Sequence, residues 1–239
     1  MKKIFILLLC IFSYHASSDE RQPYTAEDRE PCSIYVEDRM PLFGDLHVHT
    51  ALSLDAHTQG TLNTPNDAYR CAKGQSLYLQ PYKEDGTSSR ISKLKQPLDF
   101  AAVTDHAELL GEVRLCTDPE SQKYNSLQCK TYRNFPKLSY FYMNAKASMR
   151  KPLGICGENR ENCLDAAQLP WQETIDAAEQ HYDRSETCQF STFVGYEWTG
   201  AVYSGNNLHR NVIFESSNVP NQPISFFEAS SRSELWNQL

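Results

Sequence analysis

The sequence lacks any run of basic residues. Lysine and arginine number 23 against 30 aspartate and glutamate residues, which gives a formal net charge of -7. Proteins that bind DNA or RNA need positive surface to neutralise phosphates, so no nucleic-acid partner is expected. The hydrophobic share of 40% and the charged share of 22% are ordinary for a globular protein and exclude a disordered chain.

Beyond its N-terminus the sequence also lacks an apolar stretch of the roughly 20 residues that a membrane-spanning helix needs. Near the N-terminus two lysines precede an apolar run over 4–12, and small residues follow at 16–18. This order is typical of a cleavable secretory signal peptide. We therefore predict a signal peptide at 1–18, no transmembrane segment in the mature chain, and a periplasmic or secreted protein.

Export changes the interpretation of the cysteines. Seven of the eight cysteines lie after the predicted signal peptide, and in an oxidising compartment cysteines form disulfides more often than zinc sites. The odd count leaves one cysteine unpaired, and the sequence alone does not fix the pairing. Short polar segments separate Cys116 from Cys129 and Cys156 from Cys163, so we expect these two local disulfides.

Alternating strand and helix patterns predict an α/β domain. A polar, proline-containing arm at 19–41 leads into this domain, which extends from 42 to 239. An irregular insertion that contains cysteines interrupts it at about 116–168. The expected strands are 42–49, 100–103, 190–196 and 208–214, and a hairpin is expected from 77–82 and 90–94. The expected helices are 64–74, 107–115, 170–182 and 231–239. A polar loop is expected at 50–63.

Histidines and carboxylates recur where the predicted strands end. His47 and His49 flank Val48 at the end of a strand, so both side chains point to the same face and can converge on one cation. Structural histidine pairs are common, but a parallel barrel brings side chains from the ends of its strands to one rim. Imidazole and carboxylate are the usual ligands of zinc, manganese and iron. The candidate metal ligands are His47, His49, Asp55, His106, Glu197 and His209.

Several motifs in combination resemble one known family. The segments 44–50 (GDLHVHT), 53–55 (SLD) and 102–106 (AVTDH) look like the opening motifs of the PHP (polymerase and histidinol phosphatase) superfamily of metal-dependent phosphoesterases. The segments 195–200 (GYEWTG) and 207–211 (NLHRN) resemble its exported branch, DUF3604. The His-x-His pair alone also opens amidohydrolase barrels, so the likeness rests on the motifs together.

The resemblance runs from about 42 to 239 and implies a distorted (β/α)7 barrel with two or three divalent metal ions at the carboxyl ends of its strands. Asp105 is expected to orient its neighbours or a metal-bound water. Arg210 is a weaker candidate for contact with a substrate phosphate. The implied ligands are His47 and His49 for a first metal, Glu197 and His209 for a second that Glu197 bridges to the first, and Asp55 and His106 for a third.

The implied reaction is hydrolysis of a small-molecule substrate, a phosphate ester in the leading interpretation. Coordination to a metal lowers the pKa of water from about 15.7 towards 7, and the resulting hydroxide is the expected nucleophile. No protein acid or base is assigned, although His106 and His209 are candidates for proton transfer. His57 and His181 are expected to be structural or exposed.

Two other functions stay open. A metal-dependent hydrolase of carboxylic esters, lactones or amides, of the amidohydrolase type, would use similar chemistry. A non-catalytic exported protein that binds metal or a partner would need no turnover. A serine hydrolase is disfavoured because the sequence lacks a Gly-x-Ser-x-Gly segment.

The sequence also lacks any histidine after His209. The PHP superfamily completes its metal cluster with a later histidine and a closing Asp-x-His motif. We therefore expect that this chain stops partway round the barrel, and the alternative is an exported relative that has lost its chemistry.

Overall fold

The structure is a computed structural model that describes residues 32–33, 37–201 and 206–239. The predicted signal peptide and most of the predicted arm at 19–41 lie outside these residues. Within the described ranges, no helix has the length and apolar character needed to cross a membrane.

The described residues form six strands and seven α-helices, with one short 3-10 turn at Gly154–Cys156. The strands are β1 (Gly44–Val48), β2 (Leu77–Leu79), β3 (Arg90–Ser92), β4 (Phe100–Val103), β5 (Ser191–Ala201) and β6 (Asn207–Phe214). The helices are α1 (Leu54–Thr58), α2 (Pro65–Ala72), α3 (Leu110–Thr117), α4 (Leu127–Asn134), α5 (Pro136–Ser148), α6 (Glu161–His181) and α7 (Arg232–Gln238).

The main sheet is a curled half-barrel with the strand order β1-β4-β5-β6. The first three strands in this order are parallel, whereas β5 and β6 are antiparallel. A parallel partner for β5 would need a crossover of a dozen residues or more, and only residues 202–206 separate β5 from β6. The expected α/β class is confirmed, but the sheet in the described ranges has four strands and does not show a full (β/α)7 barrel.

Local signals in the sequence predict several elements closely. Thr64 caps α2 by a reciprocal capping box with Asp67, and Pro65 occupies the first turn as expected. The expected hairpin is present as the antiparallel pair β2 and β3, and the strand at 100–103 is exact. These elements are encoded by neighbouring residues, which is why the sequence indicates them.

Other elements differ from the prediction because burial overrides the local pattern. The expected loop at 50–63 contains α1, whose buried Leu54 and Thr58 lie one turn apart. The expected helix at 170–182 begins earlier, at Glu161, and Pro170 lies inside it. Proline normally ends or kinks a helix. Here the burial of one long face of α6, which includes Trp171 and Ala178, keeps the helix continuous across Pro170.

The insertion at about 116–168 is helical where an irregular segment was expected. It contains α4 and α5, and its last residues form the first turns of α6. Cys129, Tyr132 and Met143 are buried there against Leu109 and Val113 in a core of their own. The insertion is therefore packed on the domain and forms a wall beside the rim of the sheet.

The two expected local disulfides are confirmed. Cys116 pairs with Cys129 and Cys156 pairs with Cys163. A third disulfide joins Cys32 to Cys188 across 156 residues of sequence. Cys71, in α2, is the one free cysteine among the described residues. Three disulfides fit an oxidising compartment.

Candidate metal centre

Strand β4 is short, and it leaves a gap at the rim of the sheet between β1 and β5. β4 ends at Val103, whereas β5 continues to Ala201. Residues 104–107 run alongside β5 without forming a regular strand. The amide of Ala107 donates a hydrogen bond to the carbonyl oxygen of Glu197 at 2.9 Å. Side chains from β1 can therefore reach Glu197 over the end of β4.

His47, in β1, and His49, which directly follows β1, make this contact. The Nε2 atoms of His47 and His49 lie 2.8 Å and 2.7 Å from Glu197, and both address the same oxygen, Oε2. The Glu197 side chain is fully buried, at 0% exposure. Two ring nitrogens and a carboxylate oxygen therefore converge within one small volume, as the His-x-His spacing predicts.

The other oxygen of Glu197 faces a second set of side chains. His209 Nδ1 contacts Oε1, and the Thr199 hydroxyl donates to Oε1 at 3.1 Å. His106 Nδ1 lies 3.8 Å from the same oxygen. His209 reaches it because its strand position pairs with Thr199, two residues after Glu197. Glu197 thus faces one pair of histidines with each oxygen.

Asp55 extends the cluster on the side of α1. His49 Nδ1 lies 2.9 Å from Asp55 Oδ2, so the two nitrogens of this ring face two carboxylates. Ser53 donates its hydroxyl to Asp55 Oδ1 at 2.6 Å and accepts a hydrogen bond from the His106 amide at 3.3 Å. Asp55, His49 and His106 therefore form a third group of potential ligands.

Three groups among the described side chains can each hold a metal ion, because their potential ligand atoms lie within 4.8 Å of one another. A fourth group, formed by Glu112 with Cys156 and Cys163, is excluded since both cysteines are in a disulfide. The first three groups are His47, His49 and Glu197; His49, Asp55 and His106; and His106, Glu197 and His209. The structure thus brings all six candidate ligands together.

Asp105 lies directly beneath the cluster. It accepts hydrogen bonds from the amide of Thr50 at 2.5 Å and from the hydroxyl of Thr50 at 2.6 Å. Both residues are buried. These bonds tie the segment after His49 to the segment before His106, so Asp105 positions two histidines without entering any of the three groups.

Arg210 follows His209 in β6, so its side chain projects to the opposite face of the strand. Its Nη1 donates to the carbonyl oxygen of His209 at 2.7 Å. The contact with a substrate phosphate stays a prediction, and the geometry gives it no support. His57 and His181 lie outside the cluster, at 2.8 Å from the Tyr132 hydroxyl and 3.2 Å from Asn66 Oδ1.

Sequence reasoning misses three polar residues of the cluster. Thr199 touches His106 at 2.9 Å and His209 at 3.1 Å, and Ser53 holds Asp55. Glu108 is buried, and its Oε2 lies 3.9 Å from His106 Nδ1. The signal for Thr199 was available, since residues two apart in a strand share a face and Thr199 is two after Glu197.

The side chains at the centre have strongly shifted pKa values. Burial lowers the pKa of His49, but hydrogen bonds to Asp55 and Glu197 outweigh it and raise the pKa to about 10. Burial raises the pKa of Glu197, but hydrogen bonds from His49 and His209 and the nearby charge of His106 together outweigh it and bring the pKa to about 2. Asp55 behaves similarly, with its pKa well below the ordinary value. Positive charge is thus favoured between these two carboxylates.

Burial outweighs the opposing interactions at two other groups. It lowers the pKa of His106 to about 4, so this ring is neutral near pH 7 and has a lone pair for a metal. It raises the pKa of Glu108 to about 8, which keeps that carboxyl protonated. The cluster therefore combines neutral and charged groups in the way that metal and hydrolytic sites do.

A cleft of about 190 Å³ opens beside the cluster. Asp55, His106 and His209 form one of its walls, and side chains of α5 form the other. Small molecules bind most often in such clefts with convergent polar groups. The candidate metal centre therefore has a space next to it for a small ligand.

Residues 36–239 match the family described as "Protein of unknown function (DUF3604)". Neither a curated protein nor a solved structure matches the chain.

Proposed function

The chain belongs to the DUF3604 family, and from its rim of imidazoles and carboxylates we propose that it is an exported metal-dependent phosphoesterase of the PHP superfamily. The observation that carries this proposal is the convergence of His47 Nε2 and His49 Nε2 on one oxygen of Glu197. Two nitrogens directed at one buried carboxylate oxygen form the donor set of a zinc, manganese or iron site.

The charge balance of the cluster supports the fit of a cation. His49 lies between Asp55 and Glu197, and hydrogen bonds to both carboxylates favour its positive form. A divalent cation supplies positive charge at the same position without the proton. Metal binding then releases the proton from His49.

The proposed ligand sets follow the three geometric groups. His47 and His49 would hold one cation together with Glu197. His209 and Glu197 would hold a second, and the charge of the shared carboxylate would offset the repulsion between the two cations. Asp55 and His106 would hold the third. Bound cations would supply a hydroxide near neutral pH and take up charge on phosphoryl oxygens.

The side chains around the ligands orient them. Asp105 fixes the segments that carry His49 and His106 through its two hydrogen bonds with Thr50. Thr199 holds the rings of His106 and His209 and donates to Glu197. Such hydrogen bonds set the direction of metal ligands and contribute about 10- to 100-fold to metal affinity or activity.

A phosphate ester is favoured over a carboxylic ester or amide for two reasons. Several cations a few ångströms apart suit the multiple charged oxygens of a phosphoryl group. Amidohydrolases often add a carboxylated lysine, and in the described part of the chain no lysine lines the cleft.

Turnover of matched esters tests the proposal. We expect the protein, stripped of metal and then supplied with Zn²⁺ or Mn²⁺, to hydrolyse p-nitrophenyl phosphate at least about tenfold faster than p-nitrophenyl acetate. Faster hydrolysis of the acetate would favour the amidohydrolase-type function. Metal binding without turnover of either ester would favour a non-catalytic metal-binding protein.

A further inference from the structure

The cleft beside the metal cluster has a second wall whose chemistry differs from the first. Tyr140, Asn144 and Ser148 line it from α5, opposite His106 and His209. These three α5 residues are spaced by four, so they lie one above another on a single face of the helix. The inserted helix therefore presents a row of hydroxyl and carboxamide groups to the candidate metal centre.

The orientation of Asn144 is fixed from within the helix. Its Nδ2 donates to the carbonyl oxygen of Tyr140 at 2.9 Å. Ala147, three residues after Asn144, is buried, whereas Phe141, on another face of α5, is exposed at 70%. Asn144 thus stands at the centre of the row, with the two hydroxyl groups one turn away on either side.

Positive charge is absent from the walls of this cleft among the described residues, whereas Asp55 and Glu108 both line it. The nearest cations on the insertion are engaged elsewhere. Arg150 donates to the carbonyl oxygen of Phe227 at 2.6 Å, and Lys146 lies over the ring of Tyr142 at 5.9 Å. An anionic group placed against α5 would therefore find no cationic side chain there in the described part of the cleft.

The size of the cleft limits what it accepts. Its volume of about 190 Å³ is below the roughly 300–1,000 Å³ of pockets that take drug-sized ligands. The occupant is therefore a short group, of a few carbon and oxygen atoms.

Resting on the proposed function, we propose that this cleft binds the alcohol part of a phosphate monoester and selects a small, uncharged alcohol that carries further hydroxyl groups. The phosphate faces the histidines, and the hydroxyl groups of the alcohol exchange hydrogen bonds with Tyr140, Asn144 and Ser148. Asn144 is the central specificity-determining residue. Esters with a second anionic group are disfavoured because no cationic side chain of the described residues lines the cleft to pair with that group.

A pair of matched probes tests this selection. Glycerol 3-phosphate and 3-phosphoglycerate share a three-carbon skeleton and differ by one hydroxymethyl or carboxylate group. For the wild-type protein loaded with Zn²⁺, we expect kcat/KM to favour glycerol 3-phosphate by about tenfold or more, because the carboxylate of 3-phosphoglycerate finds no cationic side chain among the described residues of the cleft. Asn144→Lys should shift this ratio towards 3-phosphoglycerate by about tenfold or more.

Two further variants control for folding and for net charge. Ala145→Lys adds the same charge to α5 at an exposed position that does not line the cleft, and the ratio should stay within about twofold of wild type. Ser148 is exposed and lies one turn from Asn144. Ser148→Lys should therefore reproduce the shift in the ratio if Asn144→Lys does not fold.

Equilibrium binding of the same probes, measured by calorimetry, separates this inference from the hydrolase proposal. A binding preference for glycerol 3-phosphate that Asn144→Lys or Ser148→Lys reduces, without turnover, supports the cleft and overturns the hydrolase. Turnover with an unchanged ratio in both variants supports the hydrolase and overturns the cleft. An absence of both binding and turnover in the wild-type protein overturns both.

Discussion

Glu197 is the residue on which the candidate centre depends, because each of its two oxygens faces a different pair of histidines. Its side chain is fully buried, and a buried carboxylate with no partner would be costly. The imidazoles of His47, His49 and His209 supply those partners. Glu197 therefore couples the stability of the rim to the spacing of the candidate ligands.

Thr199 offers a residue-scale test of how the ligands are oriented. Thr199→Val keeps the shape of the side chain but removes the hydroxyl that contacts His106 and His209. We expect Zn²⁺ affinity to fall by about 10-fold or more, as for other hydrogen bonds behind metal ligands. Competition with a chromogenic chelator measures the affinity.

Thr131→Val is the matched control for Thr199. Its hydroxyl donates to the carbonyl oxygen of Leu127 within α4, away from the cluster. Zn²⁺ affinity should remain at the wild-type value. Equal losses in the two variants would contradict an orienting role for Thr199.

Glu112 gives a pH-dependent prediction that is independent of the metal cluster. Its side chain is fully buried, and its charged partner is Arg160, whose Nη2 lies 3.5 Å from Oε1. Burial raises the pKa of Glu112 above its ordinary 4.5. The folded state therefore favours the protonated carboxyl, and this contribution to stability is lost as pH rises from about 4.5 through the raised pKa.

Glu112→Gln removes this titration but keeps the size of the side chain. The free energy of unfolding of the wild-type protein, relative to that of Glu112→Gln, should fall as the pH is raised from 4 to 8. Urea denaturation at several pH values measures the difference. A difference that is constant or grows with pH would show that Arg160 outweighs burial at this site.

At the scale of elements, α3 and α6 approach each other closely at Gly111. A Cβ atom added there would overlap the carbonyl oxygen of Cys163 in α6. Gly111→Ala should therefore destabilise the protein by about 1–3 kcal/mol, the usual cost of overpacking. The midpoint of urea denaturation measures this loss.

Gly154 provides a control for the glycine substitution. The nearest atom that an added Cβ would meet there is 3.6 Å away, which is ordinary van der Waals contact. Gly154→Ala should change the free energy of unfolding by less than about 1 kcal/mol. Equal free energies of unfolding for Gly111→Ala and Gly154→Ala would mean that α3 and α6 move apart to accept the added methyl group without a loss of stability.

The same elements show how far a sequence predicts this fold. Strand β4 and helix α2 follow from an apolar run and a capping box, both of which act within a few residues. The start of α3 at Leu110 rather than 107 does not, because residues 104–107 lie along β5 instead. The antiparallel direction of β6 and the helices α4 and α5 depend on packing between distant segments.

The candidate site was more predictable than the fold that carries it. The four histidines among the proposed ligands lie at or near strand ends, where polar side chains stand out against apolar runs, whereas Glu197 lies within β5 and Asp55 in α1. Sequence reasoning missed Thr199 and the α5 wall of the cleft. A threonine in a strand and an asparagine in a helix are common, and only the structure places them beside the histidines.

At the scale of the whole molecule, two disulfides lie within the insertion and a third joins Cys32 to Cys188. For a chain that begins at residue 19, we expect one thiol per molecule in denaturant without reductant, that of Cys71. After reduction the count should be seven, since seven cysteines follow residue 18. A count of seven before reduction would contradict both the disulfides and the oxidising compartment.

The metal content of the purified protein is the most direct test of the central claim. We expect elemental analysis of the wild-type protein to find two or three equivalents of zinc, manganese or iron, and Glu197→Gln to lose most of this metal. Glu112→Gln, which alters a buried carboxylate away from the cluster, should retain it. Retention of metal by Glu197→Gln, or a wild-type protein that neither contains nor takes up metal, would contradict a metal centre built on Glu197.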